Sequence, residues 1–481
     1  MKKLYLIAIL IFLLTVFLRI YKIDEKFVFH AEYNYKLWPI KEIIYDHKIR
    51  LIGIEAVSYL HHLHYPPLAL YIFAPILYLS GANPISIEIS LIFLSGLTAV
   101  VVFYLGTKIL GLRVGLLASL IYAISLFVQR ADRFIWVVGP ILFFTILYLA
   151  IADKIICEKK NNFASFLLLG AVVGLSLNFH FQAVSFIFVT LMLTFLYFPL
   201  KTAIKLQAAF FLGVILFTFP ILIFELRHNF YNLQGIFLLI EDSGELAQSS
   251  FLDQVYKSIS AVSAIPLKII SNDLGAKSLN TISTFSIFGL QVLVILGSLK
   301  FWKKIKKRSR FFLLTSFLLW LFGLISFPFV QNRYYATDYY LYFLIVPTIF
   351  ALAYLLERIS FASKTGLVAG SLLLGFFVYH NLLINSAFVP STNWREQNNA
   401  IDYIFENRQK QSLSIKFTDF PSEEYAFLFY YKSKVYNFPY ESIEFIEPWH
   451  ESKNYDFIFS GNMKNYPDSK KFGGIVVAKT N

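Results

Sequence analysis

The sequence predicts an all-α polytopic membrane protein that ends in a small α/β domain, and three observations predict it. Of its 481 residues 57% are hydrophobic and 15% charged, against roughly 25% charged in an ordinary soluble domain. The apolar residues fall in blocks of about 17 to 25, the length a helix needs to cross a bilayer. Beyond residue 385 this pattern stops and short mixed segments with both helical and alternating periodicity take over.

Taken in order, the apolar blocks lie near 3–20, 66–81, 85–107, 114–130, 134–152, 163–179, 182–200, 206–224, 283–299, 311–328, 338–356 and 365–384. The first follows Met1-Lys2-Lys3 and is succeeded by Arg19-Ile20-Tyr21-Lys22 rather than a small-residue cleavage site, so it reads as a retained anchor. Lys and Arg in short loops favour the cytoplasm. If the N-terminus is cytoplasmic and 66–81 does not cross, every basic short loop falls on that side. These loops are Lys108/Arg113, Lys154/Lys159/Lys160, Lys201/Lys205, the KFWKKIKKRSR cluster at 300–310, and Arg358/Lys364. Segment 66–81, which begins at Pro66-Pro67, is therefore expected to be re-entrant or to lie on the surface, leaving about eleven transmembrane helices.

Three large pieces then face outward from the cytoplasmic (inner) membrane: a first loop 21–84, a second segment 225–282, and the tail. The expected organisation is a transmembrane module over 1–385 and an extracytoplasmic α/β domain over 386–481. In the tail, 398–409 and 422–432 read as helices and SLSIKFT, KVYNF, YDFIFS and GGIVVAK as strands. Asn393-Trp394-Arg395-Glu396 marks the boundary.

The net charge of +13 sits mostly in the short loops, where it sets orientation, so nucleic acid is not an expected partner. The single cysteine, Cys157, excludes an intrachain disulfide. No P-loop is present, and the outer loops have no Asp-x-Asp pair of the kind that holds a nucleotide-sugar metal.

The first outer loop is dense in Glu, Asp, His and Tyr for a segment tied to a membrane surface, which marks it as a site. It also carries a resemblance. Arg19-x-Tyr21 at the end of the first block, an acidic loop, Leu51-Ile52-Gly53 and then Tyr65-Pro66-Pro67-Leu68 resemble the GT-C glycosyltransferases. The likeness is narrower to family 39, the bacterial relatives of protein O-mannosyltransferases and of the lipid A aminoarabinose transferase. Arg133-Phe134-Ile135-Trp136, Asn178-Phe179-His180-Phe181-Gln182 and Phe224-Glu225-Leu226-Arg227-His228-Asn229-Phe230 extend it to about residue 235.

The resemblance implies transfer of a sugar from a polyprenyl-phosphate donor to a protein, lipid or glycan acceptor at the outer leaflet. A hydroxyl acceptor needs a base, worth about 10²–10⁴ in rate. In the family pattern that base is an Asp in a stretch like Phe-x-Gly-Asp-x-Gly-Arg-Asp. Here Phe29-His30-Ala31-Glu32-Tyr33-Asn34-Tyr35-Lys36 puts Glu32, one methylene longer, at the catalytic position, with Tyr35 and Lys36 where the pattern has Arg and Asp. Asp132 is the second candidate catalytic carboxylate, because some relatives carry an acid at this outer turn. The alternative is a local ion-pair cluster with Arg130 and Arg133.

Arg227 and Arg333 are the candidates for the carrier phosphate, since a guanidinium pairs bidentately with phosphate oxygens; snorkelling toward lipid head groups explains them equally. Arg133, His64, His180, Glu225 and His228 complete the expected substrate-binding set. His61, His62 and His64 suit a divalent metal by chemistry, but adjacent histidines point apart and shaping a substrate mouth is favoured, so no metal or other cofactor is expected to be required. Tyr334, Tyr335, Tyr339 and Tyr340 read as interfacial belt residues. Two other classes stay open: a transporter or flippase of a lipid-linked substrate, and an inactive relative that binds a lipid-linked sugar. The first asks for ionisable residues deep in the spans and for paired interrupted repeats; Glu88 lies near a span end, and the two halves are not alike.

Overall fold

A computed structural model describes residues 2–56, 63–133, 135–245, 251–272, 281–300, 303, 305–330, 338–387, 389–419, 421–450, 455–461 and 469–480. The chain divides into two compact units. One comprises Met1–Arg19, Arg50–Ala69 and Leu91–Asn385; the other comprises Ile20–Ile49, Leu70–Ser90 and Ser386–Asn481.

Each of the twelve apolar blocks falls on helix. Six helices are long and apolar enough to cross a membrane: Lys2–Ile20, Ile85–Leu110, Leu200–Arg227, Lys307–Phe327, Tyr339–Ala362 and Lys364–Ala387. Shorter apolar helices include Leu112–Ile124, Phe163–Leu177 and Phe181–Tyr197. This is a polytopic membrane architecture. Helix Leu68–Leu79 has 12 residues, about 18 Å at 1.5 Å per residue, short of the ~30 Å hydrocarbon core. Leu112–Ile124, with 13 residues, and Phe163–Leu177, with 15, also fall short of that core, so helix length alone does not separate 66–81 from the blocks expected to span.

At one helix break in the membrane unit, side chains take over the backbone's hydrogen bonds, as an apolar surrounding demands. Block 114–130 is interrupted at Ser125, between Leu112–Ile124 and Leu126–Ala131. There the Leu126 N–H donates to Asn381 Oδ1 at 2.9 Å, and Ser125 Oγ donates to the Ile269 carbonyl at 2.7 Å. Helices Phe163–Leu177 and Leu200–Arg227 cross closely through glycine. A Cβ on Gly174 would meet the Val214 carbonyl oxygen at 2.6 Å, and one on Gly170 would overlap the Phe210 carbonyl outright. At one end of the unit, buried Asp153 binds Lys108 at 2.7 Å and Arg308 at 2.8 Å, and Glu158 adds 2.7 and 3.1 Å contacts to the same two cations.

The second unit is built on a five-stranded sheet of order β2-β1-β3-β5-β4, with β1 (Leu413–Phe417), β2 (Ile443–Ile446), β3 (Phe457–Ser460), β4 (Ser469–Phe472) and β5 (Ile475–Lys479). β1 pairs in parallel with β2 and β3, while β5 pairs antiparallel with β3 and β4. Helix Trp394–Glu406 starts where Asn393 Oδ1 caps the Glu396 N–H, four residues before its expected start. Segment KVYNF is not a strand. Lys434 and Val435 finish helix Ala426–Val435, Asn437 turns the chain with a φ of 47°, and Tyr436 stacks on Phe405 at 5.1 Å.

Candidate active site

Glu32 lies in the first turn of helix Ala31–Tyr45, where the exposed N–H groups and the helix dipole favour a carboxylate. Its side chain is 48% exposed and accepts a 2.5 Å hydrogen bond from Lys36 Nζ, one turn later on the same face; the Lys36 side chain is only 12% exposed. Burial alone would raise the Glu32 carboxyl, but the charge and hydrogen bond of Lys36, helped by His30, outweigh it and hold the group below its ordinary value. Burial lowers Lys36 despite Glu32, and it lowers His30 as well.

The stretch is pinned on both sides of Glu32 by the tail of the same unit. Gln397 accepts from the Phe29 N–H at 2.9 Å and donates to the Phe29 carbonyl at 2.6 Å. Buried Asn34 accepts from the Phe427 N–H at 2.6 Å. Trp394 N–H donates to the Phe27 carbonyl at 2.6 Å, and Arg395 bridges Asp24 and Glu25. Tyr33 donates to Glu88 at 3.2 Å. Tyr35 donates to Glu423 at 2.6 Å, a bond that with burial pushes the phenol up to about 12. The side chains of Tyr33, Asn34 and Tyr35 are thus committed, while the Glu32 carboxylate stays accessible.

Asp132 sits in the membrane unit, and its partner is Arg19 rather than Arg130 or Arg133. Arg19 donates to Asp132 Oδ2 through Nε at 2.9 Å and Nη2 at 2.6 Å, and Tyr122 OH adds a third donor at 3.1 Å. Arg19 spends its remaining N–H groups on the carbonyls of Thr15, Tyr122 and Ala123. The two side chains are 0% and 3% exposed, so this carboxylate is a buried, charge-neutralised anchor. Arg133 donates to the carbonyls of Gln129 and Arg19 at 2.9 and 3.3 Å.

In the same unit a polar seam gathers the histidine motifs. Leu51-Ile52-Gly53 and Tyr65-Pro66 run antiparallel, Gly53 N–H to Tyr65 carbonyl at 2.7 Å and Tyr65 N–H to Ile54 carbonyl at 3.0 Å. The approach requires glycine, since a Cβ on Gly53 would stand 2.7 Å from the Pro66 carbonyl oxygen. The His64 N–H donates to Asn232 at 2.7 Å and the Leu68 N–H to Asn178 at 2.8 Å. Buried His180 lies among Tyr65, Tyr339 and Tyr340 with ring centroids 5.7, 5.8 and 5.7 Å away. Gln182 ties this ring to the chain at Tyr339, donating to its carbonyl at 2.6 Å.

Glu225 caps helix Tyr231–Glu245, its two oxygens accepting from the Asn232 and Leu233 N–H groups at 2.9 and 3.0 Å. Arg227 is exposed at the end of Leu200–Arg227; His228, also exposed, stacks on Phe224 at 4.0 Å. Arg333, Tyr334, Tyr335, His61, His62 and Phe134 lie outside the described residues. Among the described residues no three His, Cys, Asp or Glu side chains gather as a metal site. Sequence reasoning missed the pairing of Arg19 with Asp132 and the clamping by Gln397. The first had a signal, an arginine that closes an apolar helix ahead of the loop; the second had none, because an isolated glutamine on a helix face carries no pattern.

No family model matches the chain, and no curated protein matches it. Solved structures do. ArnT from Cupriavidus metallidurans in the apo state is 11% identical with a TM-score of 0.51, covering 89% of this chain and 83% of that one. The archaeal oligosaccharyltransferase AglB from Archaeoglobus fulgidus, in complex with an inhibitory peptide and a dolichol-phosphate, is 14% identical with a TM-score of 0.50. That match covers 86% of this chain, which spans 62% of the length of the archaeal one. Both are GT-C glycosyltransferases, and the fold of this chain is the GT-C fold that its sequence motifs resemble.

Proposed function

We propose that the protein is a membrane glycosyltransferase that moves a sugar from a polyprenyl-phosphate donor to an acceptor on the outer face of the cytoplasmic membrane, with inversion at the anomeric carbon. The observation that carries this reading is the Glu32 carboxylate: ionised, accessible, and set at a helix N-terminus in a segment clamped by Gln397 and Asn34. The acceptor hydroxyl attacks the anomeric carbon opposite the phosphate and gives its proton to Glu32, while the bonding pair of the broken C–O bond leaves with the lipid phosphate. A base so held supplies positioning, the part of catalysis most sensitive to small displacements.

The fold likeness supports the class, and the dolichol-phosphate bound to the archaeal relative supports the donor type. Exposed Arg227 suits an anionic head group, and Arg333 is proposed for the same role; His64, His180 and Arg133 are proposed to shape the substrate path. Asp132 acts through Arg19, fixing the chain around it rather than taking a proton. The test is a transfer assay on the full chain in lipid with a panel of polyprenyl-phosphate sugars, comparing native protein with Glu32→Gln. Donor consumption that falls by about 100-fold or more in Glu32→Gln supports the base; donor bound without turnover by both proteins moves the reading to an inactive binding relative.

A further inference from the structure

Lys36 is not explained by a general base alone. Its ammonium has three N–H donors, and among the described residues Glu32 is its one hydrogen-bond partner. The lysine stem is largely buried, whereas the carboxylate it holds is half exposed. A lysine serving only as a surface ion pair has no cause to be desolvated, because exposed pairs of this spacing contribute little. A desolvated ammonium with two donors to spare suits a multivalent oxyanion better than a single carboxylate oxygen.

We propose that Lys36 is a further contact for the donor's phosphate, and that it passes from Glu32 to that phosphate when the lipid-linked sugar binds. The assignment rests on the transferase reading above and deepens it. Without donor, Lys36 neutralises Glu32 and makes it a poor base. When the phosphate takes the ammonium, Glu32 loses its counter-cation and its affinity for a proton rises, so the base is switched on only with a donor in place. The same ammonium then neutralises the charge that builds on the phosphate as the C–O bond breaks.

The charged and titratable neighbours leave this exchange to Lys36. On its own segment burial disfavours the charged form of His30, and Tyr35 is committed to Glu423. From the turn Ser422–Glu424, Glu424 is raised by burial, and from helix Ile85–Leu110 Glu88 receives the Tyr33 hydroxyl. None of these carries a permanent positive charge.

The experiment measures equilibrium binding of farnesyl phosphate, with farnesol as the uncharged control, to the full chain in lipid nanodiscs. Lys36→Met is expected to weaken farnesyl phosphate by about 10-fold or more, the scale of a charge-assisted hydrogen bond, and Lys36→Arg to restore part of it. Glu32→Gln is expected to tighten binding, because it frees the ammonium; a merely structural ion pair predicts loss in both variants. Farnesol binding stays unchanged throughout. Equal binding by native protein and Lys36→Met, weakening in Glu32→Gln, or no phosphate-dependent binding by native protein overturns the proposal. If these shifts appear without turnover of any sugar donor, the transferase reading falls and the phosphate site stands. If turnover occurs while Lys36→Met leaves the donor KM and the acid limb of the pH profile unmoved, only the site falls.

Discussion

The Arg19–Asp132 pair joins residues 113 apart in sequence inside the membrane unit. Removing one partner of such a pair leaves the other charge buried without compensation, at a cost of about 3–5 kcal/mol, whereas replacing both with apolar groups is often neutral. Arg19→Met is therefore expected to lower the thermal unfolding midpoint in detergent sharply, and Arg19→Met/Asp132→Leu to regain most of the loss. A single variant that melts like the native chain would remove the pair from the account of stability. Asp456 makes a smaller, pH-dependent contribution. Burial would raise it, but the Ser414 N–H and hydroxyl, at 2.8 and 2.9 Å, and Lys410 at 3.1 Å hold it below the usual carboxylate range. Since its folded value lies below its unfolded one, the stabilisation is complete above roughly pH 4–5 and is lost as pH falls through the folded value. Asp456→Asn is expected to be less stable at neutral pH and to lose part of the acid sensitivity, read by unfolding between about pH 6 and 3.

At the scale of elements, helices in lipid associate by close backbone packing rather than by a hydrophobic drive. Gly170 and Gly174 form a small-xxx-small face against Leu200–Arg227, answered by Gly213, whose Cβ would overlap the Leu167 carbonyl. Gly170→Val is expected to cost about 1–3 kcal/mol by overpacking. Gly289→Ala, on a helix with open space at that position, is expected to be neutral or slightly stabilising. Thermal midpoints of the two variants check the contrast, and equal effects would refute the close crossing. Strands β1, β3 and β5, read correctly from sequence, occupy the three interior positions, whereas β2 and β4, missed, are the two edges. Interior strands need apolar side chains, and β1 alternates them with half-buried Ser414 and Lys416. An edge strand such as Ser469-Lys470-Lys471-Phe472 carries lysines that discourage pairing with other chains, and this erases the pattern that marks a strand.

At the scale of the whole molecule, the basic short loops predict a sidedness that a labelling experiment can test. In a Cys157→Ser background, cysteine placed at exposed Lys159 is expected to react with a membrane-impermeant maleimide only after permeabilisation. Cysteine placed at exposed Glu444 in β2 is expected to react in intact cells. The opposite pattern would invert the topology and put Glu32 on the wrong face for an outer-leaflet donor.

The sequence by itself determined the membrane class, the places of the apolar helices, the α/β character of the tail and the GT-C resemblance. All of these follow from local quantities: block length, periodicity, and the identity of residues close together in the chain. Only the tertiary structure decided that Asp132 answers Arg19, that Glu225 caps a helix, and that Gln397 and Asn34 fix the segment bearing Glu32. A buried charge or an orphan amide must find a partner, but the sequence states only that need. Which partner meets it depends on how distant segments pack. The pairing of Lys36 with Glu32 lies between the two cases, because i, i+4 spacing on a helix makes the contact legible, while the burial of the Lys36 side chain comes from the fold.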